Sequence, residues 1–250
     1  DWDADGQMFF INTVIGHLWH VIPGAHYKRM FGQDLDPYVY ELIGQTADHV
    51  HWDAENEGWT AQKQGLSAGS DRAGGGHAHS GMMIYLGKSW PQEYRGDVFT
   101  LNLHGLRVNR DRITRHEATY VARHAPDFLR TRDVWFRGIE LSYAPDGSVY
   151  VLDWSDIGEC HDNDGIHRTS GRIFRISHGK TEAAELNLDN LSNDKLARMI
   201  GVRNEWHSRQ ARQLLQQRAA AGQDLTKAAL TVMNTYKLTT STPTALRAMW

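Results

Sequence analysis

At 250 residues the chain can hold one large domain or about one and a half ordinary ones. Its 40% hydrophobic and 23% charged residues describe a globular chain and exclude a disordered one, and a net charge of -3 gives no electrostatic case for nucleic acid or an anionic membrane. No apolar run approaches the roughly 20 residues of a membrane helix, a single cysteine excludes an internal disulfide, and nine tryptophans and fourteen histidines stand out.

In chain order, Asp5-Gly6 reads as a turn launching an apolar strand over residues 8–11, and a second run over 18–22 precedes Pro23-Gly24. Residues 1–24 therefore predict a hairpin. The D-x-D-x-D-G opening also suggests a calcium loop, but an EF-hand needs Glu at its twelfth position, where Asn12 stands, and helical flanks. Residues 25–76 are less regular. Segments 27–31 and 37–43 read as strand or short helix, 48–52 as a polar–aromatic cluster, and 62–76 as a loop. Its Gly74-Gly75-Gly76 demands unusual backbone angles or close approach of another segment. Strand returns over 77–85, a turn or short helix over 90–96, and paired strands over 97–104 and 105–113. Residues 115–132 form a polar stretch.

Residues 135–177 organise the rest. Ile139, Leu141 and Tyr143 alternate with polar residues, Ala144-Pro145-Asp146-Gly147 is a turn, Val149 to Leu152 reads as a more buried strand, and Gly171 starts a third with Ile173, Phe174 and Ile176. Such a small antiparallel sheet is what one propeller blade looks like, and Asp-Gly or Gly-Asp turns at 5, 96 and 146 predict further, decorated blades. After Gly179 the pattern turns helical. Ser192 caps a helix carrying Leu196, Met199 and Ile200; a second starts near Glu205 and stops at Gly222; a third sets Leu225, Ala228, Ala229, Val232, Met233 and Tyr236 on one face. Thr242 as N-cap and Pro243 at the first helical position begin a fourth, cut after about two turns. The expected organisation is propeller blades over 1–180, then an α-helical solenoid of HEAT type over 181–250, in a fragment of a longer protein.

Four polar clusters stand at strand ends, where a propeller gathers residues from different blades at one mouth: His17/His20, His77/His79, His104 with Arg107 and Asn109, and Asp153/Asp156 with Cys160/His161. His79 or His104 is the candidate general base and Arg107 the cationic partner that holds a substrate; a structural role is the alternative for each histidine. His17, His20, His77, Asn109, Trp154 and His161 complete the set as substrate- or cofactor-binding candidates, with Trp154 and Trp135 also readable as packing between blades. His77 and His79, two apart on one strand face, would also suit two metal ligands. Asp153 and Asp156 offer oxygen ligands to calcium, or form a solvated turn that pairs with Arg168 or Arg172. Cys160-His161 is not a haem attachment, because residue 157 is Ile.

The series HLWHVIPGAHY (17–27), HAHSGMMIY (77–85), YRGDVFTLNLHGLRVNRDR (94–112), DFLRTRDVWFRGIELSYAPDGSVYVLDWSD (127–156), CH (160–161) and GRIFRI (171–176) resembles the PVC-type membrane-bound dehydrogenase domain of planctomycetes and verrucomicrobia. That domain is distantly related to the soluble quinoprotein glucose/sorbosone dehydrogenases, six-bladed β-propellers that use pyrroloquinoline quinone and calcium. Segments 204–218 and 246–250 resemble the HEAT-type repeats that follow it. The resemblance implies a periplasmic or cell-surface protein that oxidises a sugar or related alcohol. Electrons would pass to a quinone or a fused cytochrome c, whose haem lies outside this chain, and the remainder of the propeller would be a partner. The alternative is a non-catalytic propeller and solenoid that binds carbohydrate or protein. A half-ring exposes open sheet edges, so order is expected only when the rest of the chain or a partner covers them.

Overall fold

The computed structural model describes residues 1–14, 16–29, 32, 34–39, 41–51, 67–76, 78–158, 165–181 and 186–250. Among them three antiparallel sheets precede a set of helices. Strands β1 (Phe9–Ile11) and β2 (Leu18–His20) make the expected hairpin. Strands β3 (His79–Ile84), β4 (Val98–Asn102), β5 (Arg107–His116) and β6 (Thr119–Arg130) form a four-stranded meander in chain order. Strands β7 (Gly138–Tyr143), β8 (Val149–Asp153) and β9 (Arg172–Ile176) form a third sheet. Small consecutive antiparallel sheets are consistent with propeller-like blades, and none of the three closes on itself.

The polar stretch over residues 115–132 is strand β6, one arm of a long hairpin with β5. Hydrophobicity did not mark it, because only Tyr120, Ala122 and Ala125 are buried along it, and two of those are alanines. The loop over residues 62–76 contains a short helix α1 (Ala68–Arg72), capped by Ser67. The run from Val149 to Leu152 is half-buried, not buried throughout: Val149 and Val151 face the core, while Tyr150 and Leu152 face outward at 40% exposure. Ile173 on β9 is 68% exposed.

The main core lies between β3–β5 and β7–β8, where Met83, Ile84, Phe99, Leu101, Val108, Leu141, Val149 and Val151 pack together with Phe9 and Leu18 from the hairpin. Gly81 lets β3 approach β7: a Cβ there would lie 2.7 Å from Glu140 Cα, and its φ of +53° lies in the left-handed region. Tyr85 fastens the far end of this core. Its buried hydroxyl accepts from Ser89 N (3.1 Å) and Trp90 N (2.9 Å) and donates to Gly147 O (2.8 Å), holding the β7–β8 turn.

Helices α2 (Asn193–Met199), α3 (Glu205–Ala220), α4 (Thr226–Leu238) and α5 (Thr242–Met249) build a second core from Leu188, Leu196, Ala197, Ile200, Ala211, Leu215 and Ala228. Ser192 caps α2 as expected, whereas α5 is capped by Ser241 and not Thr242, which is its first helical residue. The helical part is tied to the sheets at the start of α3. Asn204 Nδ2 donates to Pro145 O (2.7 Å), Glu205 N donates to Leu86 O (3.1 Å), and Arg209 pairs with Asp1 at 2.9 Å. No helix among the described residues is long and apolar enough to cross a membrane.

Candidate metal centre

The loop before β2, the segment after residue 46, strand β3 and the β5–β6 hairpin bring five histidines and an aspartate to one place. Asp111 on β5 and His124 on β6 are cross-strand partners. Segment 46–48 lies along the free edge of β6: Asp48 N donates to Ala122 O (2.9 Å), Ala122 N donates to Thr46 O (3.0 Å), and Ala47 bridges Ala122. That added edge carries His49 and His51 over Asp111. His17 enters from the β1–β2 loop. His79 opens β3, with its backbone N donating to Thr13 O at 2.7 Å.

Four side chains, His17, His49, His51 and Asp111, place one ligand atom each within 4.8 Å of one another. His49 Nε2 is 2.8 Å from Asp111 Oδ1 and 3.3 Å from His51 Nε2. His51 Nε2 is also 3.3 Å from Asp111 Oδ1, and His17 Nε2 stands 3.4 Å from Asp111 Oδ2. Zinc–nitrogen bonds of about 2.0–2.1 Å place neighbouring donors about 3.0–3.4 Å apart, so these separations, which are also hydrogen-bond lengths, would need little adjustment to surround an ion. His124 Nδ1 adds another, 3.0 Å from His51 Nε2 and 3.9 Å from Asp111 Oδ1. The fit also shows in what is left over. Neither ring nitrogen of His17, nor Asp111 Oδ2, completes a hydrogen bond among the described residues, although all are buried.

At Asp111 and His51 the protonation states suit a cation, whereas His49 must give up a proton to bind one. Burial alone would raise the Asp111 carboxyl, but the imidazoles of His51, His17 and His49 facing it hold it well below the usual carboxylate range. Burial pushes the His51 imidazole down to about 4, keeping it neutral. Burial acts in the same direction on His49, but its hydrogen bonds to Asp111 and Asp48 overcome that and raise it. Three imidazoles and one carboxylate, once the ion displaces any imidazole protons, are a donor set for zinc, iron, manganese or copper, and unlike the all-oxygen shell that calcium prefers. Access is one-sided: the Asp111, His17 and His51 side chains are at most 1% exposed, whereas His49 is 21% and His124 25% exposed. A centre open on one flank is the arrangement of catalytic sites more than of closed structural ones.

Residues 1–180 match the family described as a domain of unknown function, DUF7133. The chain belongs to that family. No curated protein matches the DUF7133 chain. Among solved structures it is similar to a proposed oxidoreductase (glucose dehydrogenase) from Thermus thermophilus, at 17% identity and a TM-score of 0.40. The match covers 68% of this chain and 41% of that one, so the DUF7133 chain spans less than half of its neighbour, and a likeness of this order says nothing about activity.

Of the residues singled out in the sequence, the DUF7133 domain brings His17 and His79 to the centre; His79 Nε2 is 3.1 Å from His51 Nδ1. His20 points to the opposite side of its strand, bonded through Nε2 to Gln7 Oε1 (2.9 Å) and packed on Phe9 and Tyr120. Arg107 is buried between Asp71 and Asp127, at 2.8 Å from each. Asn109 Nδ2 donates to Asp127 Oδ1 (2.7 Å) and Gly74 O (2.9 Å). His104 is buried beside Gly76. These three brace the glycine turn behind the centre and not the centre itself. Asp153 accepts from Arg137 N (2.7 Å), Ser155 N (2.9 Å) and the Arg172 guanidinium (2.7 Å), so its oxygens are committed to a cation and two amides. Asp156 accepts from Gly158 N and His167 N, both at 3.1 Å, and Trp154 is 43% exposed. His77, Cys160 and His161 lie outside the described residues. Sequence reasoning missed His49, His51 and Asp111 as candidate ligands, and His124 beside them. The His-x-His spacing at 49–51 was the one local signal, because alternate residues of an extended segment share a face.

Proposed function

We propose that the DUF7133 domain is a metal-dependent oxidoreductase domain acting on a hydroxyl group of a sugar or related alcohol. The convergence of His17, His49, His51 and Asp111 within 4.8 Å carries the metal half of this reading. The substrate class rests on the sequence resemblance to sugar dehydrogenases. An ion of the zinc, iron, manganese or copper class would supply Lewis acidity to a bound hydroxyl. On the open flank His124, left outside the four-residue ligand set and with Asp127 Oδ1 at 3.8 Å from its Nε2, would take the hydroxyl proton in place of ligating the ion. The carbinol C–H bond then breaks as the C=O bond forms, and we assign its hydrogen and electron pair to an external acceptor: as hydride to a quinone, or as two electrons to haem with the second proton released to solvent. Calcium at Asp153 and a quinone held by Arg107 and Asn109 are not part of the proposal, because those side chains already spend their polar atoms on internal partners. Periplasmic or cell-surface placement is proposed on the resemblance alone.

The test is elemental analysis of the purified chain, followed by dye-linked oxidation of a sugar and alcohol panel before and after chelation. About one transition-metal ion per chain, and turnover lost on chelation and regained on reloading, is the expected result. A chain that takes up no ion, or turnover indifferent to chelator, refutes the reading. An ion with no turnover on any substrate removes the oxidoreductase half and leaves a metal-dependent binding module.

A further inference from the structure

We propose that His79 is a positioning residue that fixes the tautomer of His51, so that His51 presents a bare Nε2 to the ion. The inference rests on the metal reading above. His51 Nδ1 and His79 Nε2 face each other at 3.1 Å, and both residues are 1% exposed or less. Between two neutral imidazoles one nitrogen carries the proton and the other accepts it. Either His51 donates from Nδ1, leaving its Nε2 lone pair free, or His79 donates, and the His51 proton sits on Nε2. Only the first arrangement lets His51 act as a ligand through the nitrogen that faces His49, Asp111 and His124. A metal-bound imidazole commonly has its second nitrogen held by an acceptor that fixes ring orientation and tautomer. Here that acceptor is another histidine.

His79 is built to stay in place. Its backbone N is bonded to Thr13 O at 2.7 Å, and its ring stacks on His17 with centroids 5.0 Å apart. On the His51 side, Gly74 presses directly on the imidazole. A Cβ at Gly74 would lie 2.6 Å from His51 Cδ2, and its φ of +104° is open to glycine alone. Gly74 is itself fixed through its carbonyl, which accepts from Asn102 Nδ2 (3.0 Å) and Asn109 Nδ2 (2.9 Å). The His51 ring is therefore held at its face by Gly74 and at Nδ1 by His79, while its Nε2 faces His49, His124 and Asp111; the Nδ1 bond sets which nitrogen is bare.

The experiment compares His79→Phe, which keeps a ring and cannot accept, with His79→Gln, whose amide oxygen can. Zinc affinity of the full chain should fall roughly 10–100-fold in His79→Phe, the usual effect of losing such an outer partner, and return most of the way in His79→Gln. Long-range nitrogen NMR on histidine-labelled wild-type protein loaded with zinc should show His51 protonated at Nδ1 and bound through Nε2. Cobalt-loaded His79→Phe should show a shifted d–d spectrum. If His79→Phe binds zinc as wild type does, or if His51 of the loaded protein is protonated at Nε2, the assignment is wrong. Should His79→Phe fail to fold, the wild-type nitrogen spectrum and the glutamine variant still decide it. Wild-type protein that takes up neither zinc nor cobalt strikes the metal reading itself, which is a different failure.

Discussion

Replacing Asp111 by asparagine keeps the shape of the side chain and removes the buried anion that His17, His49 and His51 share. Asp111 is fully buried, and its two oxygens stand 2.8–3.4 Å from His49, His51 and His17. Truncating one member of a buried charge pair costs about 3–5 kcal/mol. At about 1.4 kcal/mol per decade this is a roughly 10²- to 10⁴-fold loss of metal affinity. The assay is thermal unfolding with and without the ion. At an ion concentration about a thousand times the wild-type Kd, binding stabilises the wild type by about 4 kcal/mol. For a chain of this size that raises Tm by about 8–16 °C. With the ratio of ion to Kd reduced to about 10 or less, Asp111→Asn gains at most about 1.4 kcal/mol, a rise below about 6 °C. An equal rise in variant and wild type would refute the placement of the ion at Asp111.

Two further perturbations separate the wall of the centre from its general scaffold. Gly74→Ala should destabilise the chain by about 1–3 kcal/mol through its left-handed backbone and also weaken metal binding, because its Cβ would meet the His51 ring. Gly24→Ala is the control: its φ is +78° with nothing within 4 Å, so it should lower stability in urea titration and leave metal affinity unchanged. Asp71 tests the brace behind the glycine turn. Burial would raise its carboxyl, but hydrogen bonding and charge from Arg107, then Arg130, hold it below its usual value. A group lowered on folding stabilises above its unfolded value of about 4 and loses that contribution as pH falls through the folded value. Asp71→Asn should therefore cost about 1.5–3 kcal/mol at pH 7, the range for a hydrogen bond to a charged group, and converge with wild type as pH drops below about 4. Parallel urea curves for the two proteins at pH 3 to 7, showing a constant gap, would rule this out.

The sheet over residues 138–176 was legible because Leu141, Tyr143, Val149 and Val151 alternate with outward residues around an Ala-Pro-Asp-Gly turn, and both signals are local. The helices were legible for the same reason, through the capping Ser192 and the apolar spacing in α4. Strand β6 was not, since its inward positions are Tyr120, Ala122 and Ala125 between arginines and histidines. The centre was half legible. His17 and His79 were marked by their positions beside strands, but their partners come from segments up to 107 residues apart along the chain, from His17 to His124, and no spacing rule spans that distance. Asp111 in particular reads as the outer face of a strand among arginines, yet it is fully buried, faced by His17, His49 and His51 from segments remote in sequence. Arg107 attracted a catalytic reading and Asn109 a binding one for a related reason: buried polar residues at a strand start look alike whether they face a substrate or a glycine turn.

The energetics of the cluster favour an ion over a structural role. One unbonded nitrogen is ordinary for a structural histidine, as at His20 Nδ1, but the centre concentrates several such atoms. In the centre, nitrogens face nitrogens: His51 meets His79, His124 and His49 at 3.1, 3.0 and 3.3 Å. Each neutral imidazole brings one proton and one lone pair, so such crowding leaves lone pairs opposed, and the His17 nitrogens and Asp111 Oδ2 have no hydrogen bond among the described residues. Buried polar atoms left in that state cost about 1–3 kcal/mol each. One divalent cation at the focus of these atoms takes up several lone pairs at once and balances the Asp111 charge. On the proposed metal reading, the same positions that destabilise a metal-free interior would become the source of affinity and would tie the stability of the DUF7133 domain to the ion.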